Sequence, residues 1–206
     1  METKVKICGI TSVTDGLAAA EAGADMIGLM FYEQSPRHIS LAQAAEISRS
    51  LPPFVLRVGV FVNPGEALVA RAIAECGLNL LQFHGDENSD FCTQFGVMSV
   101  KALRVREAES LKTLENFKTD AFLLDAYSKS SLGGTGETFN WELAIEAQKL
   151  GKPIFLAGGL TPENVAAAVK KVRPFAVDVS SGVESAPGKK QAEKMRAFIV
   201  AAKSVA

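Results

Sequence analysis

Short apolar segments alternate with helical segments along the whole chain, and this alternation limits the possible folds more than any other feature. Eight runs are apolar and β-branched enough to form strands that are covered on both faces. They are residues 5–8, 25–31, 55–62, 79–84, 98–103, 121–125, 153–157 and 175–179. A helix is predicted after each strand, at residues 15–23, 40–50, 66–76, 85–95, 107–117, 141–150, 162–172 and 191–203.

Strands that alternate with helices favour a parallel sheet, because each parallel connection needs a crossover. Eight such units without a linker predict an α/β fold, a single (β/α)8 or TIM barrel that forms one domain over residues 1–206. A length of 206 residues is at the small end of the range for that fold. The alternative is a doubly wound open sheet, which would leave two edge strands among eight very similar ones.

Charge and composition limit the partners and the compartment. A net charge of -1 and a pI near 6.2 predict no binding to nucleic acid or to an anionic membrane. No apolar run approaches the roughly 20 residues of a membrane span, and no signal peptide precedes the first strand. The three cysteines, an odd number without metal-like spacing, predict no disulfide framework and no metal site, and they favour a cytoplasmic protein.

The first strand carries an unusual pair of side chains. Lys6 and Cys8 share one face of it, and Gly9 ends it. A thiol at the carboxyl end of a strand lies where α/β barrels place their chemistry, although a buried cysteine is more often a small apolar residue. In a closed barrel the eighth strand lies beside the first, so we expect Asp178 to meet Lys6 inside, because each buried charge needs a partner.

Polar residues stand at or just after the carboxyl ends of several other predicted strands. They are Arg37, Gln82, His84 and Asp125. In a barrel these ends form one mouth, where Cys8 and Asp125 supply a potential base and acid and Arg37 is suited to a carboxylate. Each residue also has a structural alternative, such as a solvated loop charge for Arg37 or a satisfied buried side chain for His84.

Small residues follow the last two strands. Gly158 and Gly159 come after strand seven, and Ser180, Ser181 and Gly182 come after strand eight. Free backbone N–H groups in these two loops of a barrel form a phosphate cradle, and the combination is more specific than either motif alone. Thr161 and Pro162 are predicted to be the N-cap and the first residue of the next helix.

The motifs, taken together and in order, resemble one enzyme family over essentially the whole chain. They are Lys6-Ile7-Cys8-Gly9-Ile10-Thr11, Ser35-Pro36-Arg37, Val58-Gly59-Val60-Phe61-Val62-Asn63, Gln82-Phe83-His84-Gly85, Leu124-Asp125, Gly134-Thr135-Gly136 with Phe139-Asn140-Trp141, Ala157-Gly158-Gly159-Leu160, and Asp178-Val179-Ser180-Ser181-Gly182-Val183-Glu184. The sequence resembles phosphoribosylanthranilate isomerase, a (β/α)8 enzyme of tryptophan biosynthesis. That family converts N-(5-phosphoribosyl)anthranilate into 1-(2-carboxyphenylamino)-1-deoxyribulose 5-phosphate, an Amadori rearrangement without metal or cofactor.

The resemblance implies a role for each part of the mouth. Cys8 would be the general base, Asp125 the general acid and Arg37 the anchor of the anthranilate carboxylate. Gln82 and His84 would contact the substrate, and the loops at 158–159 and 180–182 would hold its phosphate. A free thiol has a pKa of about 8.5, so we expect Cys8 to need modest help from Lys6 or from the cationic iminium intermediate.

Two other functions agree with parts of this pattern. The related isomerase of histidine biosynthesis performs the same rearrangement on a larger substrate with two phosphates, but that family has a carboxylate where Cys8 stands. A barrel that only binds a phosphosugar would not need Cys8 and Asp125 together. The partner expected is a phosphoribosyl small molecule, and the sequence leaves monomer or homodimer open.

Overall fold

The structure is a computed structural model that describes residues 2–105, 107–125 and 141–205. The sequence predicts a long loop after the sixth strand, and this loop and five residues of the motifs above lie outside this part of the chain. They are the Gly- and Ser-rich segment 128–138, which contains Gly134, Thr135 and Gly136, and the following Phe139 and Asn140.

Eight parallel strands close into a barrel in chain order, with the eighth strand paired to the first. They are β1 Lys4–Cys8, β2 Met26–Met30, β3 Leu56–Phe61, β4 Leu80–Phe83, β5 Met98–Arg104, β6 Ala121–Asp125, β7 Ile154–Ala157 and β8 Ala176–Val179. The prediction of a (β/α)8 barrel is confirmed, and every strand end lies within one residue of its predicted position. The open-sheet alternative is wrong, because β1 and β8 are hydrogen-bonded neighbours.

Helices cover the outside of the barrel. They are α1 Val13–Glu21, α2 Leu41–Ser50, α3 Glu66–Cys76, α4 Ser89–Thr93, α5 Trp141–Ala147, α6 Val165–Val172 and α7 Ala192–Lys203. Buried side chains such as Ile7, Leu81 and Phe122 fill the layer between strands and helices, and a smaller cluster that includes Val58 and Leu123 fills the barrel interior. Among the described residues, no helix combines the length and apolarity that a membrane crossing requires.

The segments after β5 and β4 differ from the predicted helices. The segment after β5 is a 3₁₀ helix, Ala108–Asn116, whose buried Leu111 and Leu114 are three residues apart. Side chains at that spacing lie over one another in a 3₁₀ helix, so the apolar stripe suits it. The helix after β4 begins only at Ser89, with Asn88 as N-cap, because Glu87 is used to bind neighbouring loops.

The prediction that Thr161 caps the sixth helix is wrong. Helix α6 begins at Val165, and the side chain of Asn164 accepts a hydrogen bond from the Thr161 N–H at 2.8 Å. Asn164 also donates to the carbonyl of Gly159 at 2.9 Å, so its amide closes the turn in place of a Thr161 cap. The segment after β8 contains a short hairpin, β9 Glu184–Ala186 and β10 Lys189–Lys190, that we did not predict.

A buried ion pair joins two loops at the mouth. The Lys101 ammonium donates to Glu87 Oε2 at 2.7 Å and to the carbonyl of Gly85 at 2.6 Å. Glu87 also accepts hydrogen bonds from the N–H groups of Asn63 and Gly85. The pair therefore holds the loop after β3 against the loop after β4.

Replacement of Lys101 by Met is expected to lower the free energy of unfolding by about 3–5 kcal/mol, because Glu87 is left buried without its cation. Urea unfolding measures this loss. Lys112→Met is the matched control, since the Lys112–Glu109 pair is exposed and worth about 0–1 kcal/mol. If Lys101→Met and Lys112→Met lose the same free energy of unfolding, the Lys101–Glu87 pair does not hold the two loops together.

Candidate active site

The carboxyl ends of the strands surround a cavity of about 840 Å3. All ten site residues predicted from the sequence line this cavity: Cys8, Arg37, Gln82, His84, Asp125, Gly158, Gly159, Ser180, Ser181 and Gly182. They come from the ends of six strands that are distant in sequence and meet only because the barrel is closed. Their catalytic and binding roles stay predictions.

Cys8 lies at the end of β1 above a buried ion pair. The barrel register sets Lys6 beside Asp178 of β8, and the Lys6 Nζ donates to Asp178 Oδ1 at 2.9 Å. Lys6 is fully buried and Cys8 is 6% exposed. The predicted meeting of Lys6 and Asp178 inside the barrel is confirmed, and it satisfies both charges in a place without solvent.

The ionisation of Cys8 is governed by competing neighbours. Burial raises the pKa of the thiol, the Lys6 ammonium acts to lower it, and the Asp178 carboxylate acts to raise it. The net direction is upward, so the Lys6 charge does not offset burial.

A glycine on the neighbouring strand makes room for this arrangement. Gly28 of β2 is the register partner of Cys8. A Cβ at this position would lie 2.8 Å from the sulfur of Cys8 and 3.1 Å from the Lys6 Nζ, closer than side chains ordinarily approach. Gly28 thus permits the thiol and the ammonium to share one small space, a role for which the sequence alone carried no signal.

Asp125 and His84 face each other from β6 and the end of β4. The distance from His84 Nε2 to Asp125 Oδ2 is 3.5 Å, and both side chains are partly exposed to the cavity. Nε2 is buried, yet the contact with Asp125 does not satisfy hydrogen-bond geometry. On the other side of the ring, Gln82 Nε2 lies 3.5 Å from His84 Nδ1. The three side chains form a polar row that is open toward a ligand.

Arg37 is held by an acidic residue that our sequence analysis did not assign to the site. Its Nε donates to Glu184 Oε1 at 2.8 Å and its Nη2 to Glu184 Oε2 at 2.6 Å. The interpretation of Arg37 as a merely solvated loop charge is therefore wrong. Glu184 is 147 residues away along the chain, so only its place in the motif, and no local pattern, pointed to it.

The loop after β7 presents backbone donors to the cavity. Gly158 and Gly159 have φ angles of 86° and 66°, values that favour glycine. Their N–H groups donate no hydrogen bond to any described residue, whereas Asn164 holds the Gly159 carbonyl from behind. Asn164 was also missed from the sequence, because its turn was interpreted as the beginning of the helix.

The loop after β8 is packed tightly against the loop after β7. Ser181–Val183 forms one turn of 3₁₀ helix, and a Cβ at Gly182 would overlap the Leu160 carbonyl oxygen. The fully buried Lys190 Nζ lies 3.2 Å from the Ser180 carbonyl and 3.4 Å from its hydroxyl. The two small-residue loops therefore form one surface, with a cation beside Ser180.

The order of the strands arranges these groups around the mouth. From β1 the barrel continues through β8 and β7 to β6, so the two small-residue loops lie between Cys8 and Asp125. Arg37 follows β2, on the opposite side of Cys8. Among the described residues, no cluster of His, Cys, Asp or Glu side chains is arranged to hold a metal ion.

The fold and the mouth define a class, a (β/α)8-barrel enzyme with acid–base side chains at the carboxyl ends of its strands. The family model of N-(5'phosphoribosyl)anthranilate (PRA) isomerase matches residues 5–201, and the chain belongs to that family.

Individual relatives agree with this assignment. An N-(5'-phosphoribosyl)anthranilate isomerase from Trichlorobacter lovleyi is 55% identical over 97% of this chain and 98% of its own. The phosphoribosyl anthranilate isomerase structure from Thermotoga maritima has a TM-score of 0.90 and 42% identity, over 98% of this chain and 99% of that one. A further isomerase structure, in complex with reduced 1-(o-carboxyphenylamino)-1-deoxyribulose 5-phosphate, has a TM-score of 0.88 and 40% identity over 98% and 99% of the two chains.

Proposed function

We propose that this chain catalyses the Amadori rearrangement of N-(5-phosphoribosyl)anthranilate to 1-(2-carboxyphenylamino)-1-deoxyribulose 5-phosphate, a step of tryptophan biosynthesis. Family membership supports the proposal. One observation supports this activity at the mouth of the barrel: Cys8 and Asp125 line one cavity, and the two small-residue loops lie between them. The reduced product compound bound by a 40% identical relative has the same phosphate and carboxylate groups.

Each anionic group of the substrate has a matching part of the mouth. The phosphate lies against the N–H groups around Gly158, Gly159 and 180–182, where a dense set of backbone donors suits an anion. The carboxylate binds the edge of the Arg37 guanidinium that Glu184 does not occupy. Gln82 and His84 contact the part of the substrate between these anchors. The ribose is then held between the base and the acid.

The rearrangement starts with ring opening. Asp125 gives a proton to the ring oxygen, the bond between that oxygen and C1 breaks, and the nitrogen lone pair forms a C1=N iminium. The Cys8 thiolate then removes the proton from C2, the electron pair of that C–H bond forms the C1=C2 bond of an enolamine, and the π pair of the C1=N bond returns to the nitrogen. Before this step the positive charge of the iminium favours the thiolate form of Cys8. Removal of the C2 proton then neutralises that charge.

The last step restores both side chains. C1 of the enolamine gains a proton and the C2 hydroxyl loses one, which gives the ketone. The Cys8 thiol is the donor on one side and the Asp125 carboxylate the acceptor on the other, so no proton is gained or lost overall. The chemistry uses acid–base groups only and calls for no cofactor.

Turnover of phosphoribosylanthranilate tests the function directly. The substrate is fluorescent, and the purified chain is expected to abolish that fluorescence with saturation kinetics. If the chain acts only on the doubly phosphorylated substrate of histidine biosynthesis, it has the activity of the related isomerase of that pathway. A chain that binds inorganic phosphate but turns over neither substrate would be a phosphosugar-binding barrel, and the proposal would be wrong.

Replacement of Arg37 by Ala is expected to lower kcat/KM for phosphoribosylanthranilate by a factor of about 30 to 1,000, which corresponds to roughly 2–4 kcal/mol for a lost charged pair. Inorganic phosphate is expected to inhibit the variant as it inhibits the parent, because the small-residue loops are unchanged. Kinetics at constant ionic strength measure both effects. Arg104, an exposed residue that also lines the cavity, is the comparison. A loss in Arg104→Ala alone would mean that the carboxylate is bound there.

The remaining assignments follow the same proposal. We place residues 1–206 in one barrel domain, and we expect no nucleic acid or membrane partner, in agreement with the net charge of -1. The three free cysteines, all buried, suit a cytoplasmic, reducing compartment. We expect a monomer or a homodimer, and one related structure concerns monomers generated from a dimeric Thermotoga maritima isomerase.

A further inference from the structure

Glu184 lies between two cations at the edge of the cavity. Its Oε1 accepts from Arg37 Nε and from Lys190 Nζ, each at 2.8 Å, and its Oε2 accepts from Arg37 Nη2 at 2.6 Å. Only 5% of the Glu184 side chain is exposed, and the Lys190 side chain is fully buried. In such surroundings these pairs are weakly screened, so the geometry of the three charges is tightly determined.

The contact with Glu184 occupies one edge of the Arg37 guanidinium and leaves the other edge without a partner among the described residues. A guanidinium has two edges that can each donate two parallel hydrogen bonds to a carboxylate. Glu184 occupies the edge formed by Nε and Nη2. Nη1 donates to no described residue, and Arg37 lines the cavity. The planar group is therefore held in one orientation with its second edge available.

The carboxylate of Glu184 is itself held by the hairpin, and the hairpin is bound to α1. The Gly188 N–H donates to Glu184 Oε1 at 3.3 Å, and the Lys190 N–H donates to Asp15 at 3.2 Å. Gly9, with a φ of 74°, leaves room for the Arg37 side chain, because a Cβ at this position would overlap the Arg37 Cδ. The hairpin, α1 and the loop after β1 together determine where the Arg37 side chain lies.

The charges of the network favour an anionic ligand. Two basic side chains, Arg37 and Lys190, pair with the single carboxylate of Glu184. Burial lowers the pKa of Lys190, and the hydrogen bond to Glu184 acts to raise it. Burial acts to raise the pKa of Glu184, but the hydrogen bonds from Arg37 and Lys190 outweigh it and lower the pKa, so the carboxylate stays ionised. Without that carboxylate, two cations would face each other, and Arg37 would be free to leave its orientation.

We propose that Glu184 is a positioning residue that orients the guanidinium of Arg37 toward the carboxylate of the substrate. This inference rests on the proposed function, in which Arg37 binds that carboxylate. Glu184 touches no reacting atom and acts through Arg37. Its effect is on recognition of the aromatic part of the substrate and not on proton transfer.

The test measures Glu184→Gln in the parent and in an Arg37→Ala background. In the parent we expect kcat/KM for phosphoribosylanthranilate to fall about 10- to 100-fold, mostly through KM, because a charged hydrogen-bonded pair is lost. In the Arg37→Ala background the same substitution is expected to have little further effect, since residues that act through one contact are not additive. Lys189→Gln, an exposed change in the same hairpin, is the control and should match the parent.

Two further measurements separate positioning from a purely structural role. Inhibition by inorganic phosphate should stay within about threefold of the parent in Glu184→Gln, because the N–H groups of the two small-residue loops and the contacts of Lys190 with Ser180 are kept. Glu184→Asp keeps the charge but moves the carboxylate away, so its KM should lie between those of the parent and Glu184→Gln. If Glu184→Gln does not fold, the KM of Glu184→Asp decides the matter, and a parent-like value overturns the proposal.

The outcomes distinguish this inference from the proposed function. If Arg37→Ala turns over phosphoribosylanthranilate as fast as the parent, the role of Arg37 fails, and the role of Glu184 fails with it. If Arg37→Ala is impaired but Glu184→Gln is not, only the positioning role is wrong. An equal loss from Glu184→Gln in both backgrounds, or a loss of phosphate inhibition, would mean that Glu184 supports the loop and not Arg37.

Discussion

Replacement of Cys8 by Ser is expected to lower kcat by several orders of magnitude and to change KM little. A serine hydroxyl holds its proton far more tightly than a thiol, so the variant lacks a base that can remove the C2 proton. The anchors for phosphate and carboxylate lie on other strands and remain intact. An interaction made only in the transition state affects kcat and not KM. Steady-state kinetics with phosphoribosylanthranilate measure this split.

The control for this variant is Cys76→Ser. The Cys76 sulfur is at the end of α3, where it lies 3.6 Å from the Leu41 carbonyl, a contact that a hydroxyl can keep. Its kcat should equal that of the parent. Turnover retained in Cys8→Ser would mean that another group removes the proton. A large rise in KM would instead indicate that Cys8 contributes to binding.

Replacement of Asp125 by Asn is expected to abolish turnover while the barrel stays folded. The amide has nearly the same shape as the carboxyl group but cannot give a proton to the ring oxygen, so the iminium never forms. Asp125 is only half-buried at the end of β6, and its carboxylate lies 3.5 Å from His84 Nε2 without a hydrogen bond. We therefore expect a small change in thermal stability. Turnover, inhibition by inorganic phosphate and thermal unfolding together check the prediction.

Asp120→Asn, at the residue just before the same strand, is the matched control. Asp120 accepts a hydrogen bond from the Ser99 N–H at 2.7 Å at the amino-terminal end of β6, on the opposite face of the barrel from the cavity. The control should keep full turnover even if its stability falls slightly. A fast Asp125→Asn variant would show that another group protonates the ring oxygen. Loss of phosphate inhibition would show that the substitution had disturbed the mouth as a whole.

Local physical chemistry was sufficient to predict the strands and the place of the site. Each β-strand is a run of apolar residues between Gly, Pro or polar residues, so its limits are set by the residues themselves. Parallel strands of a barrel present their carboxyl ends on one face, and all ten predicted site residues indeed line the cavity there. The meeting of Lys6 with Asp178 followed from closure of the barrel, because β1 and β8 become neighbours.

Features that depend on contacts between distant segments were missed. The helix after β7 begins at Val165 because the Asn164 amide closes the turn onto Gly159 and Thr161. The hairpin after β8 has strands of only three and two residues, too short for a hydrophobic period to be visible. Its position depends on contacts with α1, which include the hydrogen bond from the Lys190 N–H to Asp15.

The sequence by itself determined the barrel, the end of the barrel that holds the site, and the residues that line it. Tertiary structure alone decided how those residues are held. Glu184 reaches Arg37 across 147 residues, and Gly28 leaves space for Cys8 beside Lys6. The reason is physical. Apolar periodicity depends on a few neighbouring residues and can be identified in a short stretch of sequence. The orientation of a charged side chain and the pKa of a thiol depend on every group that folding brings within a few ångströms.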